Sequence, residues 1–158
     1  MTPSGFKISQ ATIGDLNLLV PLFDAYRVFY RLTSELERAT LFLRERLQNG
    51  DSVIFLATEG DVALGFTQLF PSFSSGAMAR IFVLNDLFVT PWARQRGVGA
   101  ALLRRAAEYA RSVGAVRLTL STELSNTTAQ SVYEKSGWTR DTTFCVYNLA
   151  LSAREGGS

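Results

Sequence analysis

Leu84-Asn85-Asp86-Leu87-Phe88-Val89-Thr90-Pro91-Trp92-Ala93-Arg94-Gln95-Arg96-Gly97-Val98-Gly99-Ala100 is the stretch on which the fold depends. A long apolar strand runs into a basic, glycine-bearing turn, and the turn opens directly into a helix. A helix N-terminus leaves several backbone N–H groups without intrahelical partners and carries partial positive charge. Gly97 and Gly99 bring no side chain to hold an anion away from those donors, and Arg94 and Arg96 add cationic ones. The turn is thus a candidate pyrophosphate cradle. Three readings compete for it. A dinucleotide fingerprint would need glycine or alanine where Leu102 stands, and it usually lies on the first strand-to-helix turn of a chain. A Walker loop fails because no Gly-Lys-Ser/Thr follows. The third reading is an ordinary strand-to-helix turn with solvated arginines.

Working outward, the pattern alternates between strand and helix. Phe6 to Gln10 reads as an opening strand. Leu16, Leu19, Val20, Phe23 and Tyr26 recur at helical spacing between Asp15 and Tyr30, and Pro21 inside that run predicts a kink or an early break. A second helix is expected from Ser34 to Gln48, with Ser34 and Glu37 matching a capping box and Asn49-Gly50 ending it. Strands follow at Ser52 to Thr58 and Val62 to Phe70, joined by the turn Glu59-Gly60-Asp61. Gly76 interrupts the chain before the strand from Ala79 to Val89. Gly97 to Val113 is a helix closed by Gly114, and Val116 to Leu120 a short strand. A helix from Asn126 to Ser136 ends at Gly137. Thr139 to Thr142 and Thr143 to Ala150 read as two last strands or one bent one. The predicted order, β-α-α-β-β-β-α-β-α-β-(β), is an α/β chain of the α+β kind, a mixed sheet with helices on both faces.

Composition narrows the function. The 158 residues suit one domain, expected over 1–152, with 153–158 as a frayed tail. A hydrophobic share of 47% and a charged share of 19% fit a globular chain rather than a disordered one. No apolar run is long enough to cross a bilayer, and Met1 to Gln10 lacks the features of a signal peptide, so the cytoplasm is the expected compartment. A net charge of +2 does not call for nucleic acid, while the local group Arg94, Arg96, Arg104 and Arg105 suits a small phosphorylated ligand. The single cysteine, Cys145, has no partner for an internal disulfide and is expected to be a buried packing residue. There is no histidine, which removes Ser-His-Asp and Cys-His catalysis and histidine-liganded metals together. No metal site is expected, and acid–base work must fall to carboxylates, tyrosine, lysine or water.

With Arg94, Gly97 and Gly99 standing as Arg-x-x-Gly-x-Gly at the start of a helix after a long strand, the sequence resembles the GCN5-related N-acetyltransferase superfamily. A second stretch carries the same resemblance: Asn126-Thr127-Thr128-Ala129-Gln130-Ser131-Val132-Tyr133-Glu134-Lys135-Ser136-Gly137-Trp138, an asparagine, an alanine, then tyrosine with Glu-Lys-x-Gly-Trp. The likeness extends over nearly the whole chain in element order, and its specific motifs lie within 84–138. It implies the acyl-CoA N-acyltransferase fold and transfer of an acetyl group from acetyl-CoA to an amine. It further implies that the backbone of Leu87, Phe88 and Val89 pairs with the pantetheine arm between two diverging strands. The amides from Gln95 through Arg96, Gly97, Val98 and Gly99 to Ala100 would then hold the pyrophosphate, and Asn126 would help position the arm. A homodimer is compatible with the family. A membrane or nucleic-acid partner is not implied.

The resemblance makes Tyr133 the general acid that protonates the departing CoA thiolate, a proton a phenol can donate. A packing role on the apolar face of its helix is the alternative. For the base, some polyamine-type relatives carry Glu-Asp where this chain has Asn85-Asp86, so an amide replaces the glutamate. Asp86 remains, pointed by simple alternation to the opposite face from Asn85, with a water relay as its rival. The aromatic segment Phe23 to Tyr30 resembles the wall of the acceptor pocket in polyamine, histone and amino-acid acetyltransferases. Phe23 and Tyr26 read as core, whereas Phe29, Tyr30 and Asn85 are the candidate acceptor contacts. The expected activity is acetylation of a small primary amine through a ternary complex. A protein lysine or N-terminal acetyltransferase and a non-catalytic acyl-CoA sensor are the alternatives.

Overall fold

The computed structural model describes residues 5–152, so the expected tail at 153–158 lies outside the described residues. The chain divides into two compact units, Met1–Leu120 and Ser121–Ser158.

The first unit holds a five-stranded sheet in the order β1-β2-β3-β4-β5, with β1 Lys7–Gln10, β2 Val53–Glu59, β3 Val62–Ser74, β4 Ala79–Val89 and β5 Leu118–Thr119. The first four strands pair antiparallel, and β5 joins β4 in parallel. Helices α1 (Leu16–Phe29) and α2 (Leu36–Asn49) precede β2, and α3 (Val98–Ser112) lies between β4 and β5. The mixed α+β class and the expected order are observed up to the last helix.

Two local expectations change. Pro21 does not break α1, which runs from Leu16 to Phe29 with the proline inside it. Pro21 and Asn17, whose carbonyl loses its N–H partner there, both lie on the exposed side of the helix, where water can satisfy that carbonyl. The capping box at the start of α2 does not form. Instead the buried Asp24 of α1 reaches across: its carboxylate accepts from Ser34 Oγ at 2.6 Å and from the Glu35 amide at 2.9 Å. That exchange ties α1 to α2 and uses up Asp24.

The core has two sides. Leu19, Leu22, Phe23 and Tyr26 of α1 and Ala39 and Leu43 of α2 bury against Ile54, Leu56, Phe66 and Phe88. On the other side Tyr109 of α3 meets Phe55 and Phe82 edge-on, each with ring centroids 5.7 Å apart.

A β-bulge in β4 decides which side chains face which side. Gln68 pairs with Asp86 and Leu69 with Leu84, so Asn85 has no residue opposite it on β3. Phe82 and Phe88, an even number of residues apart, would share a face in a regular strand. Phe82 instead packs on Tyr109 of α3, and Phe88 on Tyr26 of α1 at 6.3 Å. The extra residue turns Asp86 and Phe88 toward α1.

The second unit contains α4, Thr127–Lys135, capped by the Asn126 side chain, which accepts the Ala129 amide at 3.2 Å. Gly137 takes the left-handed conformation (φ 92°) just past its end. The strands expected at Thr139 to Thr142 and Thr143 to Ala150 are not formed. The Asp141 carboxylate accepts the amides of Thr143 and Phe144, a side-chain turn that interrupts the run where the two strands would meet. Cys145, expected to be buried in that strand, is exposed.

Candidate active site

The site in the first unit begins at the bulge. Asp86 is only 3% exposed, and the Gln68 carboxamide donates to its Oδ2 from Nε2 at 2.5 Å. The Asn85 carboxamide donates to its Oδ1 at 3.1 Å. Simple alternation had set Asn85 and Asp86 on opposite faces, and the bulge overturns that by bringing both side chains into one cluster. The Tyr26 hydroxyl joins them, hydrogen-bonding the Asp86 carboxyl and lying 3.4 Å from the Asn85 carbonyl oxygen. Burial pushes the Asp86 carboxyl above its ordinary range, and the hydrogen bonds from Gln68, Tyr26 and Asn85 offset part of that rise.

Aromatic rings adjoin this carboxyl. Tyr26 meets Tyr30 edge-on at 5.2 Å, Phe29 meets Tyr30 at 5.2 Å, and Phe29 lies 6.1 Å from Phe88. Phe23 and Tyr26 are buried, as expected of core, whereas Phe29 is half exposed. Phe29, Tyr30, Asn85 and Asp86, distant in sequence, therefore converge on one place. Gln68 also belongs to it and was missed; its one signal was a polar residue inside an apolar strand run.

The turn after β4 has the features of an anion site. Gly97 is the N-cap of α3 in the left-handed conformation (φ 82°), no side chain caps the helix, and a Cβ at Gly97 would meet nothing within 4 Å. The first turn of α3 thus has no side-chain cap and an uncrowded Gly97 at its start, a fit to a pyrophosphate. Gln95 also takes a left-handed backbone (φ 66°). The arginines are otherwise engaged. Arg96 makes a two-pronged ion pair with Glu59, at 2.7 and 3.3 Å. Arg94 donates from Nε to the Val89 carbonyl at 3.0 Å, and its guanidinium lies 5.2 Å from the Phe29 ring centroid and 5.8 Å from that of Phe88. Val98 is buried, and Gly99 lies near Val89, where a Cβ would sit 3.8 Å from Cγ2.

Strand β5 pairs with β4 only at Phe82 and Val83, so among the described residues the β4 edge from Leu84 to Val89 carries no strand on the β5 side. Leu87, Phe88 and Val89, the expected pantetheine contacts, lie on this open edge. In the second unit, Asn126 caps α4, and the Tyr133 ring lies 6.1 Å from that of Trp138.

A β4 edge left without a strand beyond Val83 among the described residues, beside a helix N-terminus with no side-chain cap, fits an acyl-CoA-binding architecture, and the chain belongs to the Acetyltransferase (GNAT) family, which it matches over residues 19–138. It is 49% identical over 148 residues to the uncharacterized N-acetyltransferase YhfO of Bacillus subtilis (strain 168), covering 94% of this chain and 99% of that one. The crystal structure of a probable acetyltransferase, 44% identical, matches with a TM-score of 0.87 over 92% of this chain and 98% of its own. An aminoglycoside N(6')-acetyltransferase type 1 of Klebsiella aerogenes is 29% identical over 100 residues, 62% of this chain and 66% of the relative. The protein is an acyltransferase of the GNAT type, and acetyl-CoA is its donor.

Proposed function

We propose that the enzyme acetylates a primary amine of a small cationic molecule such as a polyamine, an amino acid or a related compound. The observation that carries this reading is the buried Asp86 carboxyl adjoining the rings of Tyr26, Phe29, Tyr30 and Phe88. Ring faces attract an ammonium, and a carboxyl pushed above its ordinary range is better matched to taking a proton from it. The relative that acts on an aminoglycoside, itself a polyamine, supports the same acceptor class.

The reaction is direct attack in a ternary complex. Asp86, directly or through water, removes a proton from the ammonium. The amine nitrogen bonds to the acetyl carbon, the carbon–sulfur bond breaks, and Tyr133 gives its proton to the thiolate, while the second proton of the nitrogen leaves to solvent and solvent restores the Tyr133 phenol. A β4 amide near Val89 donates to the oxyanion. Leu87, Phe88 and Val89 hold the pantetheine, and the amides from Gln95 to Ala100 hold the pyrophosphate, which draws Arg94 and Arg96 from their present partners. Asn126 steadies the arm. We assign this work to one N-acetyltransferase domain, 1–152, acting in the cytoplasm. A homodimer is carried over from the family alone.

Thiol release from acetyl-CoA against polyamines, aminoglycosides, both enantiomers of amino acids and lysine peptides tests the reading. Turnover on a small amine is expected, with Tyr133→Phe lowering kcat by about 10²-fold or more and leaving acetyl-CoA affinity nearly unchanged. Turnover on lysine peptides alone, or acetyl-CoA binding without turnover on any amine, would replace it with a protein acetyltransferase or a sensor.

A further inference from the structure

We infer that Gln68 is the positioning residue for Asp86, a carboxamide that can serve the buried carboxyl in both of its protonation states. The inference rests on the reading of Asp86 as base and extends it to how a base this buried can work.

A general base must gain a proton in each turnover and lose it afterwards. In water the solvent adapts to that change; in a buried site some neighbour must be able to switch from donor to acceptor. Gln68 is fully buried, its Nε2 donates to Asp86 Oδ2, and its Oε1 has no hydrogen-bond partner among the described residues. A buried carbonyl oxygen left without a donor is unfavourable, and such orphans are rare in folded proteins. The orphan is explained if Oε1 is held for the other half of the cycle. When Asp86 takes the proton from the ammonium, half a turn of the carboxamide presents Oε1 to the new O–H, and the reverse turn restores the N–H donor when the proton leaves for solvent.

Among the groups that face the carboxyl, Gln68 is the one fully buried with an acceptor that has no partner among the described residues. Thr67 Oγ1 donates to the Asp86 backbone carbonyl at 2.7 Å, which fixes the strand beneath the carboxyl. From β4 Asn85 donates to Oδ1, and from α1 Tyr26 supplies a phenol. Asp24, the other buried acid of α1, is occupied by Ser34 and Glu35, and the cation over Phe88 is Arg94. Gln68 is cross-strand partner to Asp86 in the register that the bulge creates, so the same irregularity that turns the carboxyl toward α1 sets its partner beside it.

The test is the titration of the Asp86 carboxyl by carbon-13 NMR on protein labelled at aspartate, assigned by the signal lost in Asp86→Asn, alongside the pH dependence of kcat/KM. Gln68→Met keeps the side chain's length and removes both amide atoms, and Gln68→Leu serves as a second variant. The charge-assisted bond to the ionised form is the stronger of the two that Gln68 would make, so losing both should raise the Asp86 midpoint by about one unit, and the acid limb of kcat/KM should rise with it. An unmoved midpoint overturns the inference, whatever happens to the rate. A midpoint that rises while the acid limb stays put overturns instead the reading of Asp86 as base, since the carboxyl would then titrate without consequence for catalysis.

Discussion

The two sides of the sheet use the same strands and bury different chemistry. Against α3 the contact is dry: Phe55 and Phe82 flank Tyr109, and Leu102 and Ala106 are wholly buried beside them. Against α1 and α2 the rings of Phe66, Phe88 and Tyr26 surround a carboxyl and two carboxamides. The first side serves stability, because close-packed apolar side chains carry the largest favourable term in folding. The second gives up some of that stability to keep an acid in a low-dielectric setting, where its proton affinity can be tuned.

If that division is right, the largest effect on stability belongs to the dry side. Phe55→Ala should lower the unfolding free energy by about 3–5 kcal/mol, because Phe55 is fully buried and the space it leaves cannot collapse between α3 and the sheet. Urea titration measures the loss, and the pH profile of kcat/KM in the folded remainder should not move. A displaced acid limb would mean that the two sides are coupled through the strands between them.

The next effect belongs to the polar side, and it reverses the usual direction. Asp86→Asn should lower kcat/KM by about 10²-fold or more. The same change should raise Tm near pH 8. The sign follows from linkage: a carboxyl whose folded pKa lies above its unfolded value binds its proton more tightly in the folded state. Its ionisation therefore opposes folding as the pH rises through the folded value, and the opposition is absent only below about pH 3, where both states are protonated. The gain in Tm should be present at pH 8 and gone at about pH 3. A loss of Tm at both would make Asp86 an anchor rather than a strained base.

The contrast also explains what could be read from the sequence. The dry side was legible because its residues obey the helix and strand patterns: α3, the apolar run of β2 and the length of β4 all follow from the sequence. The turn proposed as an anion cradle stood out in the sequence for another reason. Gly97 and Gly99 mark a backbone conformation and an approach that side chains would obstruct, and such constraints leave a residue-type signature. The face to which Asp86 turns was not legible. It depends on Asn85 having no partner on β3, a property of register between two strands that neither strand reveals by itself. The Asp24 cap on α2 escaped notice for the same reason, since it replaces a local pattern at Ser34 and Glu37 with a contact from another helix. The two last strands failed where ladder partners and a side-chain turn outweigh β propensity.

The smallest effect concerns the rim that both sides share, where Arg96 meets Glu59. The pair is partly exposed, with side chains 28% and 44% accessible, so its loss should change stability by no more than about 1 kcal/mol. Its consequence for the donor should be easier to see. If the pyrophosphate lies where proposed, Glu59→Gln removes a carboxylate that would compete with it for the Arg96 guanidinium, and acetyl-CoA should bind about two- to threefold more tightly at low ionic strength. The gain should shrink as salt screens the phosphate, and calorimetric titration at two salt concentrations checks both statements. Weaker binding would carry the opposite lesson: Glu59 would then hold Arg96 in the orientation the pyrophosphate needs. In that case the cradle owes its selectivity to a preformed side chain as well as to the bare amides of α3, and Gly97→Glu should hurt binding less than the open space above Gly97 implies.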